Sequence, residues 1–145
     1  MKTILYALQF KGSAVPDPAG PLKVKASAGS ASIRTTVGSD LGVVIEPAAG
    51  ETAEFESDVT MMGDTAFTEA GTIRFGAAGS LRFTTMGRGT VGPSPEEGVS
   101  AGAVIWKVEG GDGKLAGVTG LITSNFYFNT AMEVTDNQVG VLYLP

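Results

Sequence analysis

Apolar and polar positions alternate most regularly in the second half of the chain. The runs Thr52 to Met62, Thr65 to Phe75, Ser80 to Val91, Val99 to Glu109, Lys114 to Phe128 and Met132 to Leu144 are crowded with β-branched and aromatic residues. They are separated by Gly63-Asp64, by Gly76-Ala77-Ala78-Gly79, by a loop from Gly92 to Gly98 and by Gly110-Gly111-Asp112-Gly113. Period-two runs bounded by glycine-rich turns predict long hairpin strands, because side chains alternate across a strand and glycine supplies the backbone angles of tight turns. Shorter strands are predicted at Ile33 to Val37 and at Leu41 to Glu46, while Gly12 to Ser32, with Pro16, Pro18 and Pro21, reads as a long N-terminal loop. No segment carries a capped stripe of 3.6-residue period, so little helix is expected. Seven or eight strands joined by short turns must protect their outer edges, and closing the sheet on itself removes those edges. The expectation is an all-β fold: a closed antiparallel β-barrel of about eight strands, formed by residues 1–145 as one domain.

Composition narrows the chemistry more than it names it. Ten Lys+Arg against 15 Asp+Glu leave a net charge of −5 over 145 residues, the wrong sign for binding phosphate backbones or anionic membranes. With no Cys and no His, disulfides, thiolate nucleophiles, histidine triads and most zinc sites are excluded. The run from Thr3 to Phe10 is too short and polar for a signal peptide, and no apolar run reaches the roughly 18 residues of a membrane helix. A cytoplasmic protein that contacts neither nucleic acid nor membrane is expected. Gly87-Arg88-Gly89-Thr90-Val91-Gly92 fits a dinucleotide fingerprint, but Pro93 and Pro95 follow where the phosphate-binding helix must start. Gly111 to Ala116 fits a looser variant and leads into a β-rich run, and Lys114 lacks the rest of a Walker pattern. Neither segment is read as a nucleotide site. Calcium-loop spacing is absent too, so no metal and no cofactor is expected.

Three segments carry a resemblance: Gly71-Thr72-Ile73-Arg74-Phe75, Gly79-Ser80-Leu81-Arg82-Phe83, and the glycine-rich hairpin Gly110-Gly111-Asp112-Gly113-Lys114-Leu115-Ala116-Gly117-Val118-Thr119-Gly120. From Gly71 to Phe128 the chain is similar to the allene oxide cyclase-like barrels, a group that also includes dirigent proteins and bacterial spirotetronate cyclases. The resemblance implies an eight-stranded barrel with a central cavity, often dimeric or trimeric. It carries over no set of catalytic residues.

Turn lengths decide which side chains meet inside such a barrel, since directly opposed residues share a face. A two-residue Gly63-Asp64 loop sets Asp58 against Glu69; a three-residue loop sets Ser57 against Glu69 and Val59 against Phe67. Both readings put Glu69 on the apolar face of Phe67, Ile73 and Phe75. Pairing Phe75 with Ser80 brings Arg82 inside, near Glu69, whereas a one-residue shift turns Leu81 and Phe83 in and the arginines out. Setting Glu109 against Lys114 places Trp106, Thr119, Asn125 and Tyr127 inward, and leaves Ile105, Val118, Ile122, Phe126 and Phe128 outside. An outward apolar face of that size calls for a cover, and a homo-oligomer is expected.

Desolvation disfavours the charged form of a carboxyl group, so Glu69 on an apolar face is a candidate general acid or base. Asp58 is a candidate partner, because adjacent carboxylates split their pKa values. Tyr6, Arg82, Trp106, Asn125 and Tyr127 are candidate ligand-binding residues, offering hydrogen bonds, charge or a flat wall. Together they suggest a cofactor-independent isomerase, cyclase or lyase acting on a small apolar organic ligand. A barrel that holds such a ligand without proton transfer is the alternative, and a barrel packed solid is a third.

Overall fold

The computed structural model describes residues 1–35, 37–40 and 43–145. Its strands are β1 (Lys2–Val15), β2 (Leu22–Thr35), β3 (Val43–Met61), β4 (Ala66–Phe75), β5 (Ser80–Thr85), β6 (Gly89–Pro93), β7 (Val99–Gly111), β8 (Thr119–Asn129) and β9 (Glu133–Leu144). Every pairing is antiparallel, and the ring β1-β2-β3-β4-β5-β7-β8-β9 closes where β9 meets β1 again. The barrel is therefore an eight-stranded closed ring, in which the first strand is paired with the last. The ninth strand, β6, pairs with β4 and β7 beyond the end of β5. Among the described residues no helix is long and apolar enough to cross a membrane; the only helical pieces are short 3-10 turns at Gly76–Ala78 and Gly113–Leu115.

The expected N-terminal loop from Gly12 to Ser32 is mostly strand, and only Pro16 to Pro21 connects β1 to β2. Its alternation is one of size: Val24, Ala26 and Ala28 are buried while Lys23, Lys25 and Ser27 are exposed. Small inward residues leave room for the buried rings of Phe10 and Phe55. The stretch expected at Ile33 to Val37 forms the end of β2 as far as Thr35, and Thr36 lies outside the described residues. Leu41 and Gly42, the start of the other short stretch, lie outside them as well; from Val43 the chain runs on in β3.

Register follows the alternation more closely than it follows turn length. Between β3 and β4, Val59 pairs with Glu69, Asp58 with Ala70 and Met61 with Phe67, so both expected registers slip. The connection is longer than either reading allowed, because Met62 to Thr65 all lie outside the strands and the Met62 amide donates to the Ala66 carbonyl. Between β4 and β5, Ile73 pairs with Leu81 and Thr72 with Arg82, which turns the leucine in and the arginine out. Trp106 pairs with Ile122 instead of Gly117, since residues 112–118 form a compact turn rather than strand.

Burial divides the tube by height. At the end where β4 runs into β5, the interior is filled by Ile73, Leu81, Phe83, Trp106, Ile122 and Leu142, each no more than 2% exposed. Phe55, Phe83 and Trp106 form one cluster of near-parallel rings: Phe83 is 5.7 Å from Phe55 and 4.1 Å from Trp106 between ring centroids, with interplanar angles of 6° and 25°, and Phe55 and Trp106 are themselves 5.4 Å apart. This stack is a solid floor. Near the other end the facing residues are Val24, Val59, Phe67, Phe126, Phe128 and Val134, and there the wall encloses space.

Candidate functional site

The space is a cavity of about 410 Å³. Phe55, Phe67, Phe126 and Phe128 line it together with aliphatic side chains, and exposed Met61, Asp64 and Pro93 lie at its open end. The polar lining includes two buried carboxyl groups, Glu69 and Asp136, and Ser124.

Glu69 sits where the ladder along β4 is interrupted. β5 pairs with β4 only as far as Ala70, and β6 resumes at Phe67, because Met86 to Arg88 leave the sheet with Gly87 at φ 72°. Left-handed backbone of that kind favours glycine. The missing strand partners are replaced by one side chain: the Glu69 amide donates to Thr85 Oγ1 (2.6 Å), and that hydroxyl donates to the Glu69 carbonyl (2.9 Å). The carboxyl group is then held by Ser57 Oγ, donating to Oε1 at 2.5 Å, and Trp106 Nε1, donating to Oε2 at 3.1 Å. Burial is the largest influence on its acidity and raises its pKa; the charge of Asp136 raises it further, while the Ser57 and Trp106 bonds oppose both. The outcome is a carboxyl pushed up to about 8.

Asp136 belongs to a second chain of hydrogen bonds. Tyr6 Oη donates to Gln138 Oε1 (3.2 Å), Gln138 Nε2 donates to Asp136 Oδ2 (2.8 Å), and Ser124 Oγ donates to Asp136 Oδ1 (2.6 Å). Gln138 and Ser124 are almost fully enclosed. Burial again raises the pKa, and the Ser124 and Gln138 donors hold it back, so Asp136 reaches about 6. Tyr6 is raised above the ordinary tyrosine value by burial first and by Asp136 second.

The expected site residues fall into three groups. Glu69 lines the cavity. Trp106 and Tyr6 point into the barrel without lining the cavity: one supports the floor and bonds Glu69, the other packs edge-on against Phe75 and starts the chain to Asp136. Asp58, Arg82, Asn125 and Tyr127 are corrected to the outer surface, where all four are exposed. Asp58 pairs there with Lys23 across β2 and β3, at 2.5 Å. Arg82 goes out because Leu81 and Phe83 gain more from burial. On β8 and the residue before it the faces are reversed: Val118, Ile122, Ser124, Phe126 and Phe128 face inward, while Thr119, Asn125 and Tyr127 face out. The apolar outer face proposed for that strand therefore does not exist in that form. Asp136, Gln138, Ser124 and Thr85 are the residues that sequence reasoning missed; one of the two turn readings sets Ser57 against Glu69 but gives it no role.

Among the described residues no group of three or more acidic side chains is placed to hold a metal ion. Comparison with family models, with curated proteins and with solved structures yields no match to this chain.

Proposed function

We propose that the barrel admits a small, mostly apolar organic molecule into its open half and moves a proton with Glu69, assisting an isomerisation, cyclisation or elimination without a cofactor. The observation that carries this reading is a carboxyl group with its pKa moved to about 8, on the wall of a cavity whose other surfaces are chiefly aromatic and aliphatic. A group that titrates near the working pH is available in both protonation states, which general acid–base catalysis requires. Ser57 and Trp106 fix its two oxygens, so the transferred proton has a defined direction. Asp136, more acidic, keeps its proton less readily, and such a split between two carboxyls separates their roles.

The generic proton-abstraction probe 5-nitrobenzisoxazole tests the reading without a known substrate. Turnover is expected to rise with pH through about 8 as Glu69 ionises, and Glu69→Gln is expected to lower it about 100-fold. Turnover no better than that of acetate in solution, or unchanged in Glu69→Gln, contradicts the role.

Assembly as a dimer or trimer in the cytoplasm is part of the same proposal, on a different surface from the one first expected. Leu5, Leu121 and Val139 on β1, β8 and β9 are exposed side chains on neighbouring strands, and Leu5 and Leu121 both pair with Val141. By contrast, the outer face of β2 to β4 carries the ion pairs Lys23–Asp58, Lys25–Glu56 and Arg74–Glu54. Sedimentation equilibrium is expected to show an oligomer that Leu121→Arg converts to monomer. A wild-type chain still monomeric at about 100 μM argues against assembly, since stable interfaces bind well below that concentration.

A further inference from the structure

We infer that the cavity is built for an organic cation, an ammonium-bearing molecule whose charge lies against Asp136 and whose apolar body lies among Phe67, Phe126 and Phe128. The inference rests on the reading that the cavity receives a guest, and it names the guest's class.

The first support is an imbalance of charge. All ten lysine and arginine side chains are exposed, whereas Glu69 and Asp136 are 8% and 4% exposed and face the cavity. Interior carboxylates in proteins normally have an ionic partner or a metal, because neutral donors alone do not offset the lost hydration of a charge. Asp136 has only neutral donors, Ser124 and Gln138. Their direction matters: the hydroxyl of Tyr6 donates to Gln138, Gln138 donates to Asp136, and Ser124 donates from the other side. The chain terminates at Asp136 as acceptor, an arrangement that favours its ionised form. With Asp136 at about 6 and Glu69 at about 8, near pH 7 the first carries the standing negative charge and the second keeps its proton. Tyr6, Glu69 and Asp136 are the titratable groups that face the barrel interior among the described residues, so no protein cation answers that charge.

Aromatic faces are the second support. Phe67 meets Phe126 edge-on at 5.7 Å, and Phe126 stacks with Phe128 at 6.3 Å, all three on the cavity wall. Ring faces are negative and attract ammonium groups, more strongly once water is excluded.

The rim adds a third, independent observation. Four connections surround the open end: Pro16 to Pro21, Met62 to Thr65, Ser94 to Gly98 and Thr130 to Met132. Between them they carry Asp17, Asp64, Glu96 and Glu97, and no lysine or arginine. A mouth of one sign concentrates ligands of the other and speeds their entry.

The test compares two compounds of the same shape, benzyltrimethylammonium and neopentylbenzene, with binding followed through backbone amide NMR signals at pH 7.5 and low salt. The ammonium is expected to bind at least about ten-fold more tightly, the scale of one well-placed charge interaction. Asp136→Asn keeps the shape and removes the charge; it is expected to abolish most of that preference while leaving the neutral compound unaffected. Because Asp136→Asn changes a group inside the buried chain of hydrogen bonds, a second variant changes only exposed groups: Asp64→Asn, Glu96→Gln and Glu97→Gln combined are expected to slow ammonium association several-fold at low salt and little at high salt. Equal affinity for both compounds, or a preference that survives Asp136→Asn, overturns the inference and leaves the proton-transfer reading standing. Failure of both compounds to bind overturns both readings.

Discussion

Replacing Glu69 by Gln is expected to make the barrel more stable at pH 8 and nearly unchanged in stability at pH 5. The sign comes from proton linkage. The unfolded carboxyl ionises near 4.5, the folded one near 8. Between those values the native state holds a proton that the unfolded state has released, so stability falls as pH rises across the window and is level above it. Each pH unit within the window costs about 1.4 kcal/mol. Summed over the window and reduced for relaxation, the burden at pH 8 is on the order of 3–5 kcal/mol. Gln has no charge to bury: its oxygen accepts from Trp106 as Oε2 does, and its nitrogen donates to the Ser57 hydroxyl, which accepts there instead of donating as it does to Glu69. Thermal melts should place the variant roughly 10 °C above wild type at pH 8, given about 2–4 °C per kcal/mol in a chain of this size. Asp136 contributes its own loss between 3.8 and 6, equally in both proteins. A difference that does not change with pH, or a variant less stable throughout, contradicts the sheltered acid.

Phe83→Ala should be the most damaging single truncation of the floor. Phe83 is 1% exposed and packs near-parallel against both Phe55 and Trp106, which also touch each other. Losing a buried phenylalanine costs about 3–5 kcal/mol, because the transfer energy of the ring is lost and the cavity left behind cannot fully close. The same change frees the indole that donates to Glu69 Oε2, so the damage reaches the site. Phe126→Ala makes the comparison: its ring is only partly buried, on the wall of an existing cavity, and truncation should cost about half as much. Urea unfolding at pH 5 measures both. A Phe83→Ala penalty below about 1 kcal/mol is incompatible with a solid floor.

Closure and strand number were legible because a β-rich chain with short turns has few other ways to hide its edges. The inward position of Glu69 was legible for a related reason: its parity with Phe67 and Ile73 along one strand needs no knowledge of the neighbour. Cross-strand assignments failed where a connection had an unreadable length. The turn after Gly111 absorbs residues that look like strand, and a shift of five positions reverses the faces of β8, which is why Asn125 and Tyr127 lie outside. Arg82 shows that burial preference is a better guide than turn closure, since the register that buries Leu81 and Phe83 is the one observed. Asp136 and Gln138 carried a usable signal: they fall at period two between Val134 and Leu142, both buried. Thr85, by contrast, acts because a strand is interrupted beside Glu69, and nothing in its own neighbourhood announces that.

The carboxyl carbon signals of selectively labelled Glu and Asp, followed by NMR from pH 3 to pH 10, bear most directly on the whole account. Two buried groups should titrate late, one near 6 and one near 8, with Glu69→Gln deleting the later curve and leaving the other in place. If every carboxyl in the protein titrates below about pH 5, within the ordinary range of exposed acids, the barrel holds no proton carrier and the proposed chemistry is wrong.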